Sequence, residues 1–496
     1  MAKAIINRFD GGLAEDLRTL ARNQCATSVN FDIHTNPHKL TPFSDPVAET
    51  SSGPMTDDSI TDVVSMDVSG TVNIFGMGRD GSGNQDVAIF KKGSTTDITS
   101  AWSQVATNSN DLTPGTLIEY KNLLFFIAGG STWSKFTAPS TIAGLTTFAG
   151  GYTSNFAPKP FRHPIDDTVY FGIGNRVYKF DQDVTYTTAT LLHTMGTNQE
   201  IQSFTEYGNY LAFATTYLTK NKRSSVYLSN RMIPNDGTQA VIDWGDGALP
   251  VIENIGGSIV GISYTVPVGN FSTVTSYKLY VKVYSGGTLQ TIKEIETGRT
   301  DAIRVWKAKS NDKLYFGFDT DNSVYVVGKN KAGEWFVAKD RFTNPTGSFI
   351  TGTFNGVSMI GDIAFTAYQD GGTTGYLARQ GTGTAYTLSS QYKTTINPNM
   401  DTEDRLKKKK LKEIRLSYTV STANATVNVY LFKDGGVSQL ALTKTQTSTG
   451  EYMTKSEGFD DGTAFDSAYE FQFLITTTGN ASIKELDYIY DPVNDN

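Results

Sequence analysis

One theme returns along this chain roughly every 42 to 55 residues, a period that marks a repeat architecture. Each return is a turn rich in Gly, Asn or Asp that leads into a short strand of alternating aromatic and aliphatic residues. The returns fall at 69–75, 121–127, 166–172, 207–213, 257–262, 311–317 and 359–365. Radially arranged four-stranded sheets repeat at this interval. The pattern therefore predicts an all-β fold containing a β-propeller of about seven blades. Closure has a physical rationale. A lone four-stranded sheet leaves a face and an edge exposed, whereas radial stacking buries both faces and protects the edges. A string of separate β-sandwiches is the competing reading of the same short strands.

Residues 1–59 do not match the theme and read as an N-terminal extended arm and linker. Residues 13–25 read as a short helix or an extended segment. Pro37, Pro42 and Pro46 then forbid a regular ladder and favour a chain laid over another surface. Residues 60–387 carry the repeat, with hairpin signals at 170–180 and 315–327, where period-two arms flank turn formers. The run 401–412 is strongly charged. Alternating strands follow near 414–420, 427–431, 469–475 and 483–490, which predicts a C-terminal β-sandwich over 388–496.

Charge and cysteine usage narrow the function classes. The formal net charge is -7 and only 19% of residues are Asp, Glu, Lys or Arg. This argues against bulk-charge binding to nucleic acid or an anionic membrane. Cys25 is the single cysteine, so neither an internal disulfide nor a thiolate metal cluster can form. The longest apolar run, 123–128, is too short to span a bilayer. The first twenty residues lack an apolar stretch, so a signal peptide is not expected and synthesis in the cytoplasm is.

The search for chemistry returns little. Four histidines exist, and His34 and His38 lack the adjacent Glu and helical pattern that would aim both at zinc. His163 and His193 stand apart. No nucleophile elbow, Walker loop or dinucleotide fingerprint occurs in a matching context. The carboxylates Asp166, Asp167, Asp243 and Asp246 are candidates for a glycosidase pair only if a cleft sets two face to face. The 80–86 loop alternates oxygen-bearing side chains as a calcium loop would, but also as a polar hairpin tip does, and 319–322 reads the same way. The basic run Arg405, Lys407, Lys408, Lys409 and Lys410 reads first as a solvated linker. A docking surface for an acidic partner comes second and DNA contact third, because no aromatics are interleaved for stacking. No enzyme activity and no cofactor are expected.

Phe9-Asp10-Gly11-Gly12-Leu13, then Gln24, Ala26, Asn30-Phe31-Asp32, Leu40 and Pro42 form an opening that resembles that of tailed-bacteriophage β-propeller virion proteins. The order of parts is also similar to the tail nozzle proteins of short-tailed phages, with a Lys-rich entry at 409–414 into a terminal sandwich. The resemblance implies a structural subunit of the virion tail, assembling as a homo-oligomeric ring with other tail proteins around the DNA channel. An acidic wall would repel passing phosphate and let DNA slide. Phe9, Leu13 and Phe31 of the arm, with the basic run, are the candidate assembly contacts. An adhesin that grips a host glycan through exposed Tyr and Trp is the alternative, and a glycan-cleaving enzyme the third reading.

Overall fold

The computed structural model describes residues 2–14, 23–45, 47–48, 62–68, 70–79, 87–94, 103–108, 114–120, 123–128, 132–137, 141–147, 158–180, 189–217, 223–230, 240–265, 277–298, 303–318, 323–342, 353–360, 363–369, 375–379, 386–456 and 467–493. The chain is all-β. Among the described residues the α-helix is a single turn, Thr402–Arg405. The 80–86 and 319–322 loops, and the 51–60 linker, lie outside the described residues.

From Asp62 onward the strands form seven consecutive four-stranded antiparallel sheets. Their first strands are Asp62–Val68, Pro114–Tyr120, Phe161–His163, Gln199–Tyr207, Ala248–Ile255, Val305–Ser310 and Thr353–Ile360. In the first six sheets the next three strands follow in sequence order. The seventh takes its fourth strand from the other end of the segment: Val47–Ala48 pairs with Gly375–Arg379, Ala48 opposite Ala378. Each sequence theme lands at one place in its sheet, the turn after the first strand and the second strand itself.

The chain divides into two compact units. Unit 2 comprises Val47–Asn322 and Ser348–Arg379, and unit 1 comprises Met1–Pro46, Ser323–Gly347 and Gln380–Asn496. The sixth sheet contributes its first two strands to unit 2 and its last two to unit 1.

Unit 2 is built by packing one sheet face on the next. Tyr120 of the second sheet joins Val169, Phe171 and Tyr178 of the third. Tyr170, Val177 and Leu192 of the third meet Ile201, Phe204 and Phe213 of the fourth. Ala214, Val226 and Trp244 of the fourth meet Leu249, Ile252 and Ile259 of the fifth. Glycine makes room where bulk arrives from the neighbour. A Cβ on Gly172 would lie 2.7 Å from Ile201 Cγ2, and one on Gly261 would run into Trp244. The first strands of the fifth and sixth sheets touch, as do those of the sixth and seventh. The first strand of the first sheet touches those of both the second and the seventh. A Cβ on Gly356 of the seventh would accordingly meet Asp62 Cα at 3.8 Å and Trp306 Cδ1 at 3.9 Å.

Besides Ser323–Lys329 and Trp335–Phe342 of the sixth sheet, unit 1 contains two further sheets and a short ribbon. In sheet A, Ala2–Ile6, Ala481–Pro492, Lys409–Val420 and Gly450–Ser456 lie in that order. In sheet B the order is Cys25–Val29, Ser390–Thr394, Phe471–Thr478, Ala425–Lys433 and Gln439–Gln446. The alternating burial of Lys409–Val420 and Ala425–Lys433 gives each sheet one apolar face. Phe473 of sheet B meets Tyr488 of sheet A with ring centroids 4.8 Å apart.

The expectation of an extended arm is corrected for the strands described within residues 1–48. Ala2–Ile6 is an edge strand of sheet A, with Ala2 opposite Tyr490 and Ile6 opposite Leu486. Cys25–Val29 is an edge strand of sheet B, paired with Ser390–Thr394. An isolated edge of unpaired N–H and C=O groups is unfavourable, and these segments supply the missing ladders. Pairing around the prolines is sparse among the described residues: Phe31–Asp32 and Thr41–Pro42 make a two-residue ribbon, and Leu40 bridges Ile483. The basic run is likewise no free linker, because its second half opens the strand Lys409–Val420.

Candidate functional site

Three elements of the opening motif pack the inside of unit 1. Phe9 is fully buried and meets Tyr392 edge-on at 5.4 Å. Phe31 is fully buried, and the Asn30 amide donates to Ser390 Oγ at 3.2 Å. Gly12 has φ +73°, a conformation that glycine adopts without penalty, and a Cβ there would sit 2.7 Å from the Val337 carbonyl oxygen. The Leu13 N–H donates to that same Val337 oxygen at 2.7 Å. Phe9 and Phe31 therefore present no surface to another subunit, contrary to the expectation for them. Leu13 is half-buried.

The basic run separates into different roles. Lys409 is fully buried, and its ammonium donates to the carbonyls of Asp404 (3.0 Å), Arg405 (3.2 Å), Lys407 (2.7 Å) and Tyr469 (2.7 Å). Three of these close the end of the Thr402–Arg405 turn, where helix geometry leaves carbonyls without partners. Burial brings the Lys409 ammonium down to about 8, opposed by the charges of Asp404, Asp434 and Glu470. It is an internal clamp rather than a docking residue. Lys407 is exposed and pairs with Asp404 at 3.4 Å, whereas Arg405, Lys408 and Lys410 are half-buried.

Of the histidines and carboxylates singled out above, His163 and Asp166 meet, with Nδ1 3.8 Å from Oδ1. His34 is covered by Phe336, His38 Nδ1 lies 3.1 Å from the Asn7 carbonyl, and His193 contacts Ser229. Asp166 accepts from the Tyr170 hydroxyl at 2.8 Å, Asp167 from Arg162 at 2.5 Å, and Asp243 from Arg223. The Arg223 hydrogen bond holds the Asp243 carboxyl below its usual range. Among the described residues no group of three or more His, Cys, Asp or Glu side chains is placed to hold a metal ion.

Sequence reasoning missed a polar site, a cavity of about 490 Å³ in unit 2. First strands of the second, fourth, fifth, sixth and seventh sheets line it, together with the segment entering the third, through Ile118, Lys159, Glu206, Glu253, Lys309 and Ser358 among others. Its chemistry centres on Lys307. That ammonium donates to the Phe204 carbonyl of the fourth sheet (2.8 Å), the Ile252 carbonyl of the fifth (2.6 Å) and Glu253 Oε2 (2.9 Å). Glu253 also accepts from Thr205 Oγ1 at 3.0 Å, and Lys309 lies 3.5 Å away. Lys309 pairs with Glu206 at 3.0 Å. Burial works to lower the Lys309 pKa, but Glu253 and Glu206 together raise it.

Behind the lining residue Lys159, Asp62 of the first sheet joins two neighbours. Its carboxylate accepts from Thr116 Oγ1 (2.7 Å) and the Leu117 N–H (2.9 Å) of the second sheet, and from Lys159 (3.1 Å). Arg162 pairs with Asp167 and Glu119. Each lysine or arginine lining the cavity thus has a carboxylate partner, and most pairs bridge two sheets. Such an arrangement fixes geometry. It leaves no opposed pair of free carboxylates for acid–base work. A sequence signal was present in the polar residues at alternate positions of otherwise apolar strands: Ser203 and Thr205, Lys307 and Lys309.

Among the described residues no helix is long and apolar enough to cross a membrane. No known family profile matches the chain, and no curated protein matches it in sequence. Similar solved structures include Chaetomium thermophilum Raptor, at 8% identity and TM-score 0.43 over 68% of this chain. A puromycin-hydrolyzing peptidase of Mycobacterium tuberculosis is similar at 8% identity and TM-score 0.42 over 71% of this chain. The chain spans 29% and 60% of these two proteins' lengths.

Proposed function

We propose that this chain is a structural subunit of a tailed-phage virion, a nozzle- or hub-like tail protein, in which the seven sheets close as a propeller and the unit 1 sheets form a sandwich. The observation that carries this reading is the ion-paired cavity. Its charged groups join neighbouring sheets through Lys307, Glu253 and Asp62 rather than standing open to a substrate. Closure is further supported by contact between the first strands of the first and seventh sheets, and by the strand that Val47–Ala48 lends to the seventh. The opening motif supports the phage assignment through its resemblance alone. The role is that of a scaffold assembling with itself and other tail proteins, so its place is the virion tail.

Electron microscopy of the purified full chain, alone and with tail tubes, tests the reading. Rings of copies with a central opening, or decoration of tube ends, support it. A chain that stays single and ignores tubes overturns it, and glycan-array binding by that single chain would replace it with the adhesin reading.

A further inference from the structure

Strand Gly450–Ser456 closes one side of sheet A, and among the described residues it pairs only with Lys409–Val420. Its outer backbone edge is a template for another strand. The strand is held firmly in place: Tyr452 stacks on Tyr418 at 5.6 Å, and its hydroxyl reaches the Ser448 carbonyl at 2.9 Å. Glu451, Met453 and Lys455 alternate outward, and Met453 is 74% exposed. This large apolar side chain sits at the centre of the seven-residue strand, flanked two positions away by opposite charges.

We infer that two copies of this chain pair through this edge, antiparallel and centred on Met453. In that register Met453 faces the partner subunit's Met453, and Glu451 faces the partner subunit's Lys455, twice over by the two-fold axis. A parallel register would set Glu451 on the partner's Glu451 and Lys455 on the partner's Lys455, which is unfavourable. The charge order therefore selects one self-complementary arrangement, as an isologous interface requires. Glu451 accepts from Lys484 at 2.5 Å across Lys409–Val420, and the proposed pairing sets its carboxylate between that lysine and the partner subunit's Lys455. Pairing would extend sheet A into a continuous eight-stranded sheet across the two copies. The inference does not rest on the tail reading: a two-copy assembly that forms no ring would leave it standing and remove the other.

The test uses the full chain. Cys25 is buried, so Met453→Cys introduces the accessible thiol. Mild oxidation should give a covalent dimer at least about tenfold faster than Val437→Cys, a similarly exposed position off this edge. Glu451→Lys should weaken self-association roughly tenfold, and Glu451→Lys with Lys455→Glu should restore it. Sedimentation equilibrium of the unsubstituted chain keeps the inference falsifiable if a variant misfolds. A monomer up to about 100 μM overturns it. So does a dimer that is indifferent to the charge exchange.

Discussion

Replacing Lys307 with Met tests whether the cavity holds unit 2 together. The substitution keeps an unbranched side chain one atom shorter and removes an ammonium that binds carbonyls of two other sheets and the Glu253 carboxylate. Glu253 has a side chain only 7% exposed, and it would keep Thr205 and the more distant Lys309 as partners. Breaking a buried ion pair from one side costs about 3–5 kcal/mol, and the remaining lysine should hold the loss near about 3 kcal/mol. The Phe204 and Ile252 carbonyls lie on first strands and lose a donor together. Urea unfolding followed by fluorescence is the assay. The unit 2 transition, reported by Trp244 and Trp306, should move to lower urea while that of unit 1 stays fixed. Lys307→Met with Glu253→Leu should cost less than the sum of the single changes, with coupling of at least about 1 kcal/mol. A shift under about 0.5 kcal/mol, or simple additivity, would refute the role given to this residue.

Phe9→Ala should destabilise unit 1 by about 3–5 kcal/mol in the same assay, because the ring is fully buried against Tyr392. A surface contact would instead leave folding unchanged and impair assembly. Lys409→Met should cost about 2–4 kcal/mol through the carbonyls it abandons, while Lys407→Ala stays within about 0.5 kcal/mol, as paired unfolding curves would show. The Glu485 carboxyl is raised by burial and by neighbouring Asp487. The folded state thus holds that proton more tightly than the unfolded chain, so its contribution favours folding as pH falls through the acid range and opposes it above. Glu485→Gln should therefore gain a few tenths of a kcal/mol at about pH 7, discounted for solvent screening, and lose that gain near about pH 4. Chemical denaturation at both pH values reads the difference.

The second strands of the third, fourth, fifth and sixth sheets were legible because they pack on both faces and so read as short apolar runs after a Gly, Asn or Asp turn. Ser258–Thr265, buried at all but its last position, is the clearest case. The first strands were harder to see. Glu253, Lys307 and Lys309 interrupt their apolar pattern, and only the fold reveals that these charges face one another. Residues 1–48 misled for a related reason. Ala2–Ile6 and Val47–Ala48 are too short to carry a periodicity, and their partners stand hundreds of positions away. Phe9 and Phe31 looked like contact residues because a sequence cannot say whether an aromatic ring faces its own chain or another. Lys409 looked like its neighbours, since four lysines in a row carry no mark of which one turns inward.

The pairing of Ala48 with Ala378, and of Ala2 with Tyr490, has a consequence for biogenesis. A ribosome releases the early half of each ladder long before the late half exists. Two strands must wait, first for the seventh sheet and then for the final strand of sheet A, with their hydrogen-bonding edges open in the meantime. Contacts of such large sequence separation slow folding. Aggregation during synthesis, rather than stability once folded, is then the hazard this topology carries, and slower growth or a chaperone that shields nascent strands should raise the yield of soluble chain.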